Sequence, residues 1–361
     1  MLTRTRVSST PRHRDTLPKG RLKKALSVLA SGALIIGMGV SGALFAAAPA
    51  QAAPVNLGAV QAQVSNHVGD AGSTGQNSGT TTGYCIRYSP PNSSSSTGPS
   101  DWVSSGSEAL TAHGRGSNNC PNNLSTSSQS AIGVQPAAGS LAPEPGAAFN
   151  IGKITHYNNP INYDGSSDYF KGTVSYRLPS LSKQFDFNWW MWETPNNGNA
   201  DQNRDQFKFL NQASDTTISV GGIDYKLVIL GFRTVSNGAA CPADPGSAVN
   251  EWLTYEGQQT QACLYGKLAQ VRKLTVKKVV VGAGAPDTTF NFAPTSTIDG
   301  SPWKSSFALK AGQSKTADAV QGETITIAEN AVADAQWSLT GVACVDSANQ
   351  PIGTPNLAAG T

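Results

Sequence analysis

Charge is scarce in this 361-residue chain. Asp, Glu, Lys and Arg make up only 14% of it, against about 25% in ordinary soluble domains. Helical bundles and coiled coils need Glu, Lys, Ala and Leu at helical period, so those classes drop out. A basic excess is also lacking once the N-terminus is set aside. Residues 1–24 carry eight Lys/Arg and one acid, Asp15, and residues 25–52 carry no charge. The formal +3 of the whole chain then becomes 18 basic against 22 acidic residues, a balance of −4. Nucleic-acid binding loses its electrostatic footing there. Recurrent catalytic signatures are missing too. The five cysteines include no Cys-x-x-Cys pair, which leaves a zinc ribbon or thioredoxin-type motif unsupported. His67, His113 and His156 are too far apart for His-x-x-x-His or His-Glu-x-x-His. Neither a Gly-x-Ser-x-Gly elbow nor a Gly-x-x-x-x-Gly-Lys loop occurs. The chain reads as a protein without enzymatic turnover.

What is present begins with a leader. The basic segment ends in Lys19, Arg21, Lys23 and Lys24, and an apolar run follows from Ala25 to Ala48. Ala50-Gln51-Ala52 then supplies an Ala-x-Ala site, so residues 1–52 read as a secretory signal peptide, with cleavage after Ala50 the near alternative. The run is long enough to span a bilayer, but its small residues and cleavage motif favour removal. Contact with a membrane is expected only through this leader. Its length and basic character resemble those of high-GC Gram-positive bacteria, the actinobacteria.

All five cysteines lie beyond the leader, where export makes oxidation the expectation. Sequence order favours Cys85–Cys120 and Cys241–Cys263 among the three pairings that four cysteines allow. Cys344 is left over. Residues 54–145 are Gly/Ser/Asn-rich, with apolar islands at "GYCIRY", "DWV" and "SAIGV". A disordered stalk is one reading of them; the paired cysteines and Tyr84, Tyr88 and Trp102 favour a folded one.

Residues 146–272 carry the clearest strand signals. In "GTVSYRL", Val174, Tyr176 and Leu178 share a face. In "QFDFNWWMWE", Phe185, Phe187, Trp189 and Met191 lie on one side and Trp190 and Trp192 on the other, so both faces should be covered. "TTISVGGIDYKLVILGF" reads as a hairpin turning at Gly221-Gly222. Beyond it, "KLTVKKVVV", "TTFNF", "SSFALKAG", "GETITIAEN" and "QWSLTGVAC" are further strands. The fold class is therefore all-β. A jelly-roll-like β-sandwich over 53–272 is followed by a small immunoglobulin-like or prealbumin-like sandwich over 273–361, which reads as incomplete at its end.

The ordered motifs "SQSAIGVQP", "FNIGKITHYNNPI", "FNWWMWETPN" and "GGIDYKLVILGF" resemble the choice-of-anchor K domain of bacterial surface proteins, over roughly residues 80–272. The resemblance implies a surface or secreted location and little chemistry. "LTVKKVV", "TTFNF" and "GETITIAEN" resemble the SpaA-like, prealbumin-like (Cna-B type) repeats of Gram-positive adhesins and pili. Such repeats often join a Lys on the first strand to an Asn on the last through an isopeptide bond, helped by a buried acid. Alternation supports part of that independently. Lys278 shares a face with Leu274, Val276 and Val280, and Glu329 shares one with Ile325 and Ile327. Two inward groups of opposite sign suit an ion pair or covalent use, whereas a snorkelling Lys278 at a frayed strand end is the plain alternative. The closing strand, with its Asn and usual Cys, is not recognisable before Thr361.

Two further sites are candidates. Tyr84-Cys85 and Ser128-Gln129-Ser130-Ala131 resemble the Cys and Gln motifs of adhesin thioesters, although Ser replaces Thr and Gly133 stands where Trp is favoured. Glu193, Asn199, Asp201 and Asp205 crowd one loop whose oxygens would suit Ca²⁺, the one cofactor suggested; a solvated loop with Asx turns is the simpler reading. His156 reads as a hydrogen-bonded structural residue beside a turn, and the tryptophans as core and cover more than a glycan platform. Together these readings predict an exported surface or secreted structural, adhesive protein whose partner is a surface protein or glycan. The alternative is a secreted carbohydrate-binding module or carbohydrate-active enzyme, with Glu193 and Asp201 or Asp205 as its carboxylates.

Overall fold

The computed structural model describes residues 53–70, 83–89, 98–164, 168–280, 287–330 and 343–345. The signal-peptide reading, and the reading of an incomplete end, fall outside these residues.

Among them the chain forms strands and no α-helix. In chain order the strands are β1 (Gly58–Ala59), β2 (Gln61–Asp70), β3 (Arg87–Ser89), β4 (Ala109–His113), β5 (Ser130–Pro136), β6 (Ser140–Leu141), β7 (Ala148–Asn158), β8 (Tyr169–Leu178) and β9 (Lys183–Trp192). They continue with β10 (Asp205–Phe209), β11 (Ala213–Val220), β12 (Ile223–Val235), β13 (Glu251–Thr254), β14 (Gln258–Lys277), β15 (Phe290–Ser296), β16 (Phe307–Leu309), β17 (Ser314–Val320) and β18 (Ile325–Glu329). One antiparallel sheet has the order β13-β10-β9-β8-β2. A second runs β11-β12-β14-β7-β5-β4-β3.

These two sheets face each other across a single apolar core, because each strand alternates inward and outward side chains. Phe185, Phe187, Trp189 and Met191 of β9 point in, as the alternation requires. Trp189 stacks on Phe207 of β10 at 5.5 Å between centroids, and Phe232 of β12 stacks on Trp252 of β13 at 5.9 Å. Such pairs add about 0.5–1.5 kcal/mol each beyond area burial. The outward Trp190 and Trp192 are covered by Tyr169, stacked at 5.3 and 6.1 Å, and Lys208 lies 4.7 Å from the Trp190 ring. The β11–β12 hairpin turns at Gly221 and Gly222, whose φ of 59° and 78° are left-handed values that favour glycine.

β14 belongs to two sheets. Its first part pairs with β12 and β7, and from Val271 onward it pairs with β17. The sequence boundary at 272/273 thus falls inside one continuous strand. Val228, Ala269, Ile298 and Val320 form a small cluster where the two sandwiches meet. Beyond it, β16-β15-β18 make a three-stranded sheet around Phe290, Phe292 and Leu309.

Candidate functional site

At one end of the larger sandwich the inward positions stop being apolar. On β4, Ala109, Thr111 and His113 face in; on β5, Ser130 precedes Ile132 and Val134. On β7, His156 follows Ile154 two residues on, so alternation carries it into the core. From the facing sheet, Glu193 extends the inward row of β9, Asp205 opens the inward row of β10, and Thr254 closes β13. His113, Ser130 and His156 are 0% exposed, Glu193 is 4% and Asp205 1%.

Their polar atoms interlock. The Ser130 hydroxyl donates to Glu193 Oε1 at 2.6 Å, and the His113 Nε2 lies 2.9 Å from the same oxygen. His156 Nε2 is 3.0 Å from Ser130 Oγ and 3.9 Å from Glu193 Oε1, while its Nδ1 is 2.6 Å from Thr254 Oγ1. Asp205 Oδ1 accepts from the Thr194 N–H at 2.8 Å and the Thr194 hydroxyl at 3.1 Å. His113 Nδ1 is buried without a hydrogen-bond partner, and Asp205 Oδ2 meets no N–H or hydroxyl donor, its carboxyl being hydrogen-bonded to that of Glu193. Donor atoms of His156, Glu193 and Asp205 all lie within 4.8 Å of one another.

Burial governs the ionisation here. It pushes the His113 and His156 imidazoles down to about 3, so both are neutral near pH 7. It also raises the carboxyls of Glu193 and Asp205, and Glu193's charge raises Asp205 further. This pair is tightly linked, and the direction for both is upward because two carboxylates cannot both shed protons cheaply in a dry site. The Glu256 carboxyl, raised by its own burial, adds negative potential from beside the pair.

Of the loop whose oxygens suggest Ca²⁺, the structure gathers only Glu193 and Asp205, and it turns them inward. Asn199 caps a turn, its Oδ1 accepting from the N–H groups of Asp201 and Gln202 at 3.0 and 3.1 Å. Asp201, 73% exposed at its side chain, accepts from the Tyr255 hydroxyl at 3.0 Å. Glu193, Asn199, Asp201 and Asp205 therefore do not form one site; Asx-turn geometry holds the loop instead. The thioester reading fails on chemistry. Cys85 is disulfide-bonded to Cys120, and the Gln129 amide donates to the carbonyls of Cys85 and Gly114, both at 2.8 Å. The second disulfide, Cys241–Cys263, has the expected pairing, and Cys344 is exposed and free. Of the carboxylates named for glycosidic chemistry, Glu193 and Asp205 face the interior and Asp201 faces solvent, and Trp190 is 8% exposed.

In the smaller sandwich the expected pair is present. Lys278, just past β14, meets the last residue of β18, Glu329, with Nζ 2.6 and 2.8 Å from the two carboxylate oxygens. The ammonium also sits 3.9 Å from the Phe290 ring centroid. β15 and β18 hold the register, with Phe292 opposite Glu329. The Asn that would complete an isopeptide has no counterpart among the described residues.

Residues 274–361 match the SpaA-type family described as a prealbumin-like fold domain. A search of curated proteins finds no match to the chain. A prealbumin-like domain thus forms the C-terminal part of an all-β chain. Sequence reading missed the cluster of His113, Ser130, His156 and Thr254 around Glu193. The signal was available in the alternation of β4 and β7, which places His113 and His156 where apolar residues belong.

Proposed function

We propose that this protein is an exported structural component of a Gram-positive cell surface, in which the larger sandwich is displayed by the prealbumin-like module. The observation that carries the reading is the single strand β14, shared by the disulfide-locked sandwich and the domain matched at 274–361. A flexible linker would let the two reorient, whereas a continuous strand backed by the Val228–Ala269–Ile298–Val320 cluster makes one stiff unit. Two disulfides fit an oxidising compartment. The basic leader and Ala-x-Ala site support export. SpaA-type prealbumin domains occur in surface pilins and adhesins, which supports a structural, adhesive role.

Within this reading residues 53–272 are a choice-of-anchor K-like sandwich, on the order of their four motifs, and their loops are the binding surface for a protein or glycan. Lys278 and Glu329 are the lysine and helper acid of an isopeptide module. Lys278 Nζ attacks an Asn carboxamide carbon, ammonia leaves, and the Glu329 carboxyl relays the proton. Labelling intact producer cells with a membrane-impermeant reagent tests location; label confined to lysed cells refutes it. Intact mass tests the bond: mature protein lighter by one ammonia, beyond the hydrogens lost to disulfides, supports it, and an unchanged mass refutes it.

A further inference from the structure

We propose that His156, Glu193 and Asp205 form a structural site for one divalent first-row transition-metal ion of the zinc class, clipping the two sheets of the larger sandwich together. The three donors come from both layers, His156 from β7 on one sheet, and Glu193, just past β9, and Asp205, the first residue of β10, on the other. Their donor atoms already lie within 4.8 Å of one another. A tetrahedral ion at about 2.0–2.2 Å from each ligand would draw them in by roughly 1 Å.

Independent features point to a ligand there. Asp205 is 1% exposed, and its Oδ2 meets no N–H or hydroxyl donor; its carboxyl faces that of Glu193, with which it shares a proton when no cation is present. An unsatisfied buried carboxylate oxygen costs several kcal/mol unless something cationic or proton-bearing meets it. Among the described residues neither Glu193 nor Asp205 has a Lys or Arg partner. A dication would neutralise both carboxylates at once. Thr254 completes the setting: its hydroxyl, 2.6 Å from His156 Nδ1, can accept from Nδ1–H, the tautomer that frees Nε2 to bind a metal. Ser130 and His113, both on Glu193 Oε1, hold that carboxylate in place.

The donor set selects the ion. Calcium takes six to eight oxygens, and this interior offers an imidazole nitrogen with two carboxylates. Mixed N/O ligation by three side chains, with a fourth position open to a water, fits zinc.

The test uses the mature protein from residue 53 onward, stripped with chelator. Zinc should bind at one equivalent and raise the melting temperature. Cobalt(II) should bind in its place and give visible d–d bands of four- or five-coordinate N/O ligation. Asp205→Asn and His156→Gln should each weaken zinc by about 100-fold or more, beyond the about 10–100-fold that losing an outer partner costs. Should either variant fail to fold, the wild-type titration decides alone. Stripped wild-type protein that binds neither ion, or binds with no shift in melting temperature, overturns the proposal and leaves protons as what the carboxyl pair holds. Zinc binding undiminished in a folded Asp205→Asn variant overturns it as well, by placing the ion elsewhere.

Discussion

Removing the Glu329 charge tests the core of the smaller sandwich. The Lys278 and Glu329 side chains are 11% and 15% exposed, and the two short contacts leave both carboxylate oxygens engaged. Deleting one partner of a fully buried pair costs about 3–5 kcal/mol, mostly for the charge left behind. The residual exposure puts this pair at the lower end. Glu329→Gln is expected to destabilise the module by about 2–3 kcal/mol, because the amide still accepts one hydrogen bond. Lys278→Met should cost about 3 kcal/mol, including about 1 kcal/mol from the lost contact with Phe290. The double variant Lys278→Met/Glu329→Leu should return to within about 1 kcal/mol of wild type, since the site is otherwise lined by Phe290, Phe292, Leu309 and Ile327. Urea titration read by hydrogen exchange at the β15–β18 amides gives the four corners of the cycle. Intact mass is measured first, because an amide at Lys278 removes the ammonium from the comparison. A coupling below about 0.5 kcal/mol would mean that Lys278 behaves as a surface lysine, and the inward-facing argument would be wrong.

Other expectations follow from the same structure. His67 is 1% exposed, contacts Trp189 and Phe170, and is held well below its usual 6.5 by burial and then by His113. The unfolded chain therefore takes up this proton first, so the contribution of His67 to stability is full above about pH 6.5 and falls by about 1.4 kcal/mol per unit below it, until the folded value is reached. Urea midpoints from pH 7 to 5 should fall less steeply in His67→Gln; equal slopes would exclude His67 as a source. Replacing Cys241 and Cys263 by Ser opens a loop of separation 22, and Cys85 with Cys120 one of 35, for losses of about 3 and about 4 kcal/mol on the loop-entropy scale. Equal midpoints with and without reductant would contradict this. A methyl group at Gly172 would lie 2.5 Å from the Trp189 ring, so Gly172→Ala should cost about 2 kcal/mol or more by overpacking, read as a lower melting temperature.

Strand identity was legible wherever burial was one-sided or doubled. The β9 row of Phe185, Phe187, Trp189 and Met191 could be assigned a face from period alone, and so could Lys278 and Glu329. The Gly221-Gly222 turn was legible because few other dipeptides adopt left-handed φ twice in succession. Sheet order was not, since β14 pairs with β7 across 100 positions or more, as in Gln258 with Asn158, and no local pattern encodes that. The polar end of the sandwich was hidden for the same reason. Glu193 and Asp205 look like members of an acidic loop in sequence, and only β4, β5 and β7, brought from elsewhere in the chain, supply His113, Ser130 and His156.

Both buried polar groups sit at strand termini, and packing explains why. His113 ends β4, Ser130 opens β5, Asp205 opens β10, Thr254 ends β13, and Glu193 follows β9. In the smaller sandwich Lys278 follows β14 and Glu329 ends β18. Mid-strand, an inward residue is ringed by neighbours on its own and the facing sheet, and a charge there would displace rings such as Trp189 and Phe207. At a strand end the layers meet turn backbone, whose N–H groups can serve a carboxylate as the Thr194 N–H serves Asp205. A polar cluster there costs the core little volume, yet it adds hydrogen bonds between the two sheets, as from Ser130 to Glu193. The larger sandwich thereby links two sheets through Glu193, held by Ser130 and His113, and through Thr254 on His156, and the smaller one links β14 to β18 through Lys278. Such cross-layer links add to the apolar core in fixing one sheet against another, because antiparallel hydrogen bonds hold strands only within a sheet.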